Sequence, residues 1–298
     1  MNEDWPRDEA PVESAGWIEA GENPAPEAEV LPAPSPRFLG CVTLLQNAEV
    51  KPGHFRARID APQIAASAKP GQFLNVRCSP AHDPLLRRPL SISRVSRSEG
   101  WVEFIYRVVG QGTDLLRHIA PGAELDVMGP LGTPFVLSGG RHILVGGGVG
   151  IPPMLFLAEA LLAQRAGEPV AMLMGGRARD LLLCEDDFAS IGIEPVCITD
   201  DGSTGRQGLV TELLDEALSD CPAAVYACGP VPMLRAVARV AEAHAAPCQV
   251  AFEARMACGL GACLSCVIPT VSGYQRVCTE GPAINAAHVI WTAELNLH

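Results

Sequence analysis

From Phe38 onward, apolar and polar residues form short runs of strand character at 38–45, 54–59, 72–77, 90–95, 102–108 and 124–128. Runs of this length, with one face apolar, mark half-buried strands. They are separated by Lys51-Pro52-Gly53, Lys69-Pro70-Gly71, Ser98-Glu99-Gly100 and Pro121-Gly122, residues that turn a chain. Many short strands at this spacing predict an antiparallel barrel or sandwich. One helix is predicted inside it, at 113–119, with Thr113 as its N-cap.

Past residue 140 the texture changes. Apolar runs at 141–145, 170–175, 194–199 and 224–227 alternate with helical stretches at 151–166, 180–188, 210–217 and 231–244. That alternation predicts a parallel, doubly wound sheet. A last run at 249–252 extends the sheet and delivers the chain to its C-terminal segment. Residues 1–36 show neither period and hold nine acids, one arginine and seven prolines. Such a segment buries too little apolar surface to offset its chain entropy and reads as a disordered acidic tail. The predicted fold class is multidomain, β-barrel plus α/β. It comprises the tail at 1–36, a barrel at 37–138, an α/β domain at 139–247 and a small segment at 248–298.

The length of 298 residues agrees with two domains and an appendage. The net charge of −12, most of it in the tail, argues against nucleic acid as a partner. The sequence has no apolar run long enough to span a membrane and no secretory signal pattern. Eleven cysteines, an odd number in a chain too large to need disulfide staples, point to a reducing compartment and so to the cytoplasm.

Four of those cysteines carry the chemistry. Cys258, Cys263, Cys266 and Cys278 are spaced Cys-x4-Cys-x2-Cys-x11-Cys, and the first three match the plant-type [2Fe–2S] loop. A loop wrapped around such a cluster needs backbone freedom, which Gly259 and Gly261 supply. The rival is a four-cysteine zinc site, which favours two closely spaced pairs. The bland alternative is chance clustering.

A second constellation is Arg88-Pro89-Leu90-Ser91 on a barrel strand, followed by Ile105-Tyr106-Arg107 and Gly112-Thr113. Arginine grips phosphate in bidentate fashion, and amides that open a helix bind anions. A serine hydroxyl can donate to a ring nitrogen, and the tyrosine offers a flat face for stacking. Alone, each is an ordinary strand or turn residue. Together they answer the parts of a flavin dinucleotide, FAD.

The third is Gly146-Gly147-Gly148-Val149-Gly150, between a strand and a helix that begins with Pro152-Pro153. That arrangement suits a pyrophosphate, although it departs from G-x-G-x-x-G and a plain tight connection would look the same. Cys228-Gly229-Pro230 forms a similar loop after a later strand. Asp200 and Asp201 would favour NAD by accepting from a ribose hydroxyl, whereas Arg177 and Arg179 would suit NADP.

These residues, with Gly129-Pro130-Leu131-Gly132 and Met233, resemble the ferredoxin–NADP reductase superfamily over 38–285. Within it the chain is most similar to the electron-transfer subunits of NAD-dependent (class 1B) dihydroorotate dehydrogenases. The resemblance implies an FAD barrel, an NAD-binding sheet and a C-terminal [2Fe–2S] segment. It also implies an FMN-containing dihydroorotate dehydrogenase catalytic subunit as partner, in a heterotetramer of two of each. Electrons would pass from that FMN to the cluster, to FAD and to NAD+, with no acid–base residue of this chain in a catalytic role. Hydrogenase, sulfite reductase and NADH-dependent ferredoxin:NADP transhydrogenase subunits share these motifs and remain alternatives. A zinc-stabilised interaction module is the non-enzymatic one.

Overall fold

The computed structural model describes residues 37–292 and Leu295, apart from 82, 165 and 166. The predicted acidic tail lies outside the described residues.

Among these, six strands close into a barrel: β1 (Phe38–Lys51), β2 (His54–Asp60), β3 (Phe73–Val76), β4 (Arg88–Ser96), β5 (Trp101–Arg107) and β6 (Glu124–Leu131). Their order is β1-β2-β5-β4-β3-β6, every pair antiparallel. A closed barrel leaves no free sheet edge, so it meets the rest of the protein through its outer faces. Leu44, Ile59, Leu74, Val76, Ile92, Phe104 and Val127 fill the interior. Alternation then turns Phe73 and Asn75 of β3 outward. A short helix, α1 (Pro62–Ser67), which the sequence pattern does not announce, buries Ile64 against the barrel.

The second barrel helix, α2, runs Gln111–Arg117 rather than 113–119, and its N-cap is Gly110. Thr113 sits one turn inside. Its Oγ1 accepts the N–H groups of Val109 at 3.0 Å and Gly110 at 3.2 Å, so it ties the helix to the chain before it instead of capping forward.

Seven strands make the second sheet: β7 (His142–Gly147), β8 (Val170–Gly176), β9 (Val196–Thr199), β10 (Arg206–Gln207), β11 (Ala224–Cys228), β12 (Cys248–Ala251) and β15 (Ala283–Asn285). The order is β10-β9-β8-β7-β11-β12-β15, parallel except that β15 runs antiparallel to β12. Helices α3 (Ile151–Gln164), α4 (Glu185–Ser190), α5 (Val210–Asp220) and α6 (Val231–Ala243) connect the parallel strands. The helix predicted at 180–188 is in fact a single 3-10 turn, Arg179–Leu181, followed by α4. Strands β13 (Val267–Thr270) and β14 (Gly273–Arg276) form a separate hairpin between β12 and β15.

Helix α3 is shared. Its Leu155 and Leu157 pack into the sheet's core, while Phe156 lies in the barrel core cluster. Around that seam Arg94 of β4 reaches Glu159 of α3 at 2.6 Å and Asp187 of α4 at 3.7 Å. Arg56 also pairs with Asp187, and Glu103, fully buried, lies between Arg56 at 3.7 Å and Arg58 at 2.9 Å. Truncating Phe156→Ala should lower the free energy of unfolding by about 3–5 kcal/mol, the cost of a buried aromatic cavity. Urea unfolding of the two proteins measures that difference.

Candidate functional site

The cysteines are gathered by the register of the β13–β14 hairpin. Val267 lies opposite Arg276, and the Val277 N–H donates to the Cys266 carbonyl at 2.9 Å. Cys266 and Cys278 therefore leave the hairpin side by side, both buried. Burial, and then the hydrogen-bonded Cys266, push the Cys278 thiol up to about 12, with Cys258 also in range. The Ser265 hydroxyl and the Cys258 group pull the exposed Cys263 thiol down to about 6. The thiols thus lie in two neighbouring pairs, Cys263 with Cys258 and Cys278 with Cys266.

The loop between them is held open as a cradle. Gly259 and Gly261 have φ of +68° and +82°, as a tight wrap requires. The Leu260 N–H already points at Cys258 Sγ, 3.3 Å away. Arg276, paired with Glu280, donates to the Gly261 carbonyl at 3.1 Å and fixes the loop against the hairpin. Arg276, Glu280 and Ser265 carry no motif signal, which is why sequence reasoning passes over them. Among the described residues no three Cys, His, Asp or Glu side chains converge on one point where a single ion could sit. A zinc ion would take all four thiolates itself, whereas a two-iron cluster takes them in pairs, two on each iron.

On the barrel, the Arg88 guanidinium covers the start of α2. A Cβ at Gly112 would lie 2.6 Å from Arg88 Nε, so glycine there makes room for the arginine. Its Nη1 donates to the Leu86 carbonyl at 2.5 Å. Ser91 is exposed on the outer face and Pro89 half-buried, while Leu90 points into the barrel and offers a ligand only its backbone. Ile105 faces outward toward the α3 side of the sheet, and Arg107 is exposed at the end of β5. The expectation for Tyr106 needs correction. Its ring is in the barrel interior, stacked on Phe55 at 5.7 Å, and its hydroxyl donates to Asn47 Oδ1 at 2.9 Å. Burial pushes the phenol far above its ordinary value. Strand β5 is buried on both faces, so its pattern does not reveal which residues look outward.

On the sheet, the glycine turn and Cys228-Gly229-Pro230 meet at the C-terminal ends of adjacent strands β7 and β11. A Cβ at Gly150 would fall 2.2 Å from the Cys228 carbonyl oxygen. No side chain fits there, and the two loops form one floor. Strand order reverses at β7, since the chain moves first to β8 and later to β11, and such a crevice is where open α/β sheets bind ligands. Asp200 is exposed at the end of β9. Its neighbour Asp201 is held below the usual carboxylate range by hydrogen bonds from Ser203, and its N–H donates to the Arg177 carbonyl at 3.2 Å. The acidic turn and the two arginines thus share one rim.

Residues 253–290 match the iron-sulfur cluster binding domain of dihydroorotate dehydrogenase B. Residues 46–135 match an oxidoreductase FAD-binding domain and 144–239 an oxidoreductase NAD-binding domain. The electron transfer subunit of dihydroorotate dehydrogenase B (NAD(+)) of Desulforamulus reducens is 39% identical over 249 residues, covering 81% of this chain and 94% of the relative. The chain belongs to that family. The Bacillus caldolyticus subunit is 42% identical over 229 residues, covering 74% of this chain and 87% of the relative. Among solved structures, one of the NADH-dependent reduced ferredoxin-NADP oxidoreductase, described for flavin-based electron bifurcation, superposes with a TM-score of 0.75 at 28% identity. It covers 84% of this chain and 90% of its own. The family's domains make the cofactors FAD, NAD and a [2Fe–2S] cluster, and the chain an oxidoreductase subunit of the electron-transfer type.

Two variants test the cradles. Arg88→Ala should weaken FAD binding by roughly 1.5–3 kcal/mol, the worth of hydrogen bonds to a charged group, read as the dissociation constant for FAD by flavin fluorescence. Gly259→Ala should deplete the cluster, because the new Cβ would lie 2.6 Å from Asn75 Nδ2 at a φ that disfavours it. Iron and acid-labile sulfide per chain, compared with the unsubstituted protein, report that loss.

Proposed function

We propose that this chain is the exit arm of an NAD-dependent dihydroorotate dehydrogenase. A partner subunit oxidises dihydroorotate at its FMN, and this chain carries the electrons through a [2Fe–2S] cluster and FAD to NAD+. Cys258, Cys263, Cys266 and Cys278 are the cluster ligands in this reading. Arg88, Ser91 and the amides at Gly112 and Thr113 hold the flavin dinucleotide, with backbone from Pro89, Leu90, Ile105, Tyr106 and Arg107. Gly147, Gly148 and Gly150, with Cys228, Gly229 and Pro230, cradle the nicotinamide dinucleotide, and Asp200 receives its adenosine ribose. The barrel is the unit 37–138, the α/β domain 139–247 and the cluster segment 248–298. Two of each subunit make a heterotetramer, in the cytoplasm. No helix of the described residues is long and apolar enough to cross a membrane.

The observation that carries the reading is contiguity. The cluster loop rests on the outer face of β3, and β3 pairs with the arginine-serine strand β4. When bound there, the flavin exchanges single electrons with a cluster and a hydride with nicotinamide. The protein's work is to fix those distances. Arg88 is anchored by the Leu86 carbonyl, the cysteine loop by Arg276, and the nicotinamide floor by the packing of Gly150 on Cys228.

The test is reconstitution. The FMN subunit with this chain should reduce NAD+ with dihydroorotate, and Cys263→Ser should abolish that while leaving FAD bound. NAD+ reduction that persists in the Cys263→Ser complex would count against the route. The kcat/KM for NAD+ should exceed that for NADP+. A tenfold preference for NADP+, about 1.4 kcal/mol in transition-state terms, would instead place the chain with the transhydrogenase-type subunits.

A further inference from the structure

Asn75 is a polar side chain that the fold leaves unexplained. It is fully buried on β3, and neither amide atom has a hydrogen-bond partner among the described residues. A buried amide without partners costs roughly 1–3 kcal/mol, and an apolar residue of similar size would remove that cost. The β3 strand offers no packing reason to retain it. Its outward neighbour Phe73 is apolar, and Met128 of β6, opposite Asn75, is apolar too.

The surroundings say where the amide is aimed. Asn75 pairs with Pro89 of β4, beside Arg88, so its outer face is level with the strand that holds the flavin. On the other side its Nδ2 is the atom nearest to where a Cβ on Gly259 would stand, 2.6 Å away. Gly259 directly follows Cys258 and belongs to the turn whose Leu260 N–H already points at Cys258 Sγ. The amide is therefore buried between two cofactor cradles, with its nitrogen toward the cysteine loop. Sulfurs of an iron–sulfur cluster accept hydrogen bonds, and donors to them raise the reduction potential by favouring the more negative, reduced state.

We propose that Asn75 is a further cluster-tuning residue: its side-chain N–H, delivered from the FAD barrel, donates to a sulfur of the cluster bound at Cys258. The inference rests on the iron–sulfur reading of the four cysteines. It adds that the barrel, and not only the cysteine loop, sets the cluster's electron affinity. Removing the donor leaves the ligands untouched and makes the cluster harder to reduce.

The experiment is an EPR-monitored redox titration of the flavin-loaded, cluster-loaded protein and its Asn75→Leu variant. Iron, sulfide and FAD content are measured on the same samples. The expected result is full cofactor content with the cluster's reduction equilibrium shifted at least threefold toward the oxidised form, about 28 mV at about 59 mV per tenfold for one electron. An unchanged cluster potential at full iron content overturns the proposal, as does a shift confined to the flavin. Should the variant load iron poorly, the unsubstituted protein labelled with side-chain 15N asparagine decides. A 15N hyperfine coupling to the reduced cluster sustains the hydrogen bond, and its absence overturns it. A preparation in which even the unsubstituted protein holds no iron–sulfur cluster would refute the reading beneath it instead.

Discussion

In the β13–β14 hairpin, Val267 faces Arg276, and everything about the cysteine site follows from that pairing. The pairing sets Cys266 opposite Val277, one residue before Cys278, so a slip in register would change how the two cysteines leave the hairpin. The pairing is kept by contacts outside the hairpin's own apolar surface. The Val277 N–H bonds to the Cys266 carbonyl, Arg276 is clamped by Glu280, and Thr270 closes the turn by donating to the Gly273 carbonyl at 2.6 Å. Buried Ile268 and Val277 then anchor the hairpin in the same core that holds Phe73 and Met128 of the barrel. Cluster geometry and barrel position are thereby set by one body of packed side chains, and interiors at that density transmit displacement rather than absorb it.

The C-terminal ends of β7 and β11 obey a different rule. There the floor is largely backbone, with Gly150 seated on the Cys228 carbonyl and Gly147 lying against the Met233 side chain. Side chains contribute little, so the site's shape is set by the parallel register of β7 and β11 and by helix α6 packing beneath.

Much of this was legible in the chain. The alternating runs of 38–128 and the strand–helix rhythm of 141–252 announce the barrel and the sheet, because each buries one regular face or stripe. The four cysteines announce themselves by spacing alone. The β13–β14 hairpin was not legible, since Tyr274, Gln275 and Arg276 are exposed or half-buried and carry little apolar pattern. The inward turn of Tyr106 was hidden because β5 is apolar on both faces, and the start of α2 was missed because glycine, not threonine, stands at its cap. Asn75 reads in sequence as one polar residue in a strand. Only its burial without a partner, beside a loop from the far end of the chain, gives it meaning.

The short strand β15 closes the account in another way. It lies on the outer edge of β12, after the cysteine segment in the chain, and is only Ala283–Asn285 in length. Without it β12, buried and apolar, would present its ladder of N–H and C=O groups to any passing strand. The segment that holds the metal is thus also the segment that seals the sheet. Any fraying of β15 from β12 would uncover that ladder as an adhesive edge open to strand-to-strand association.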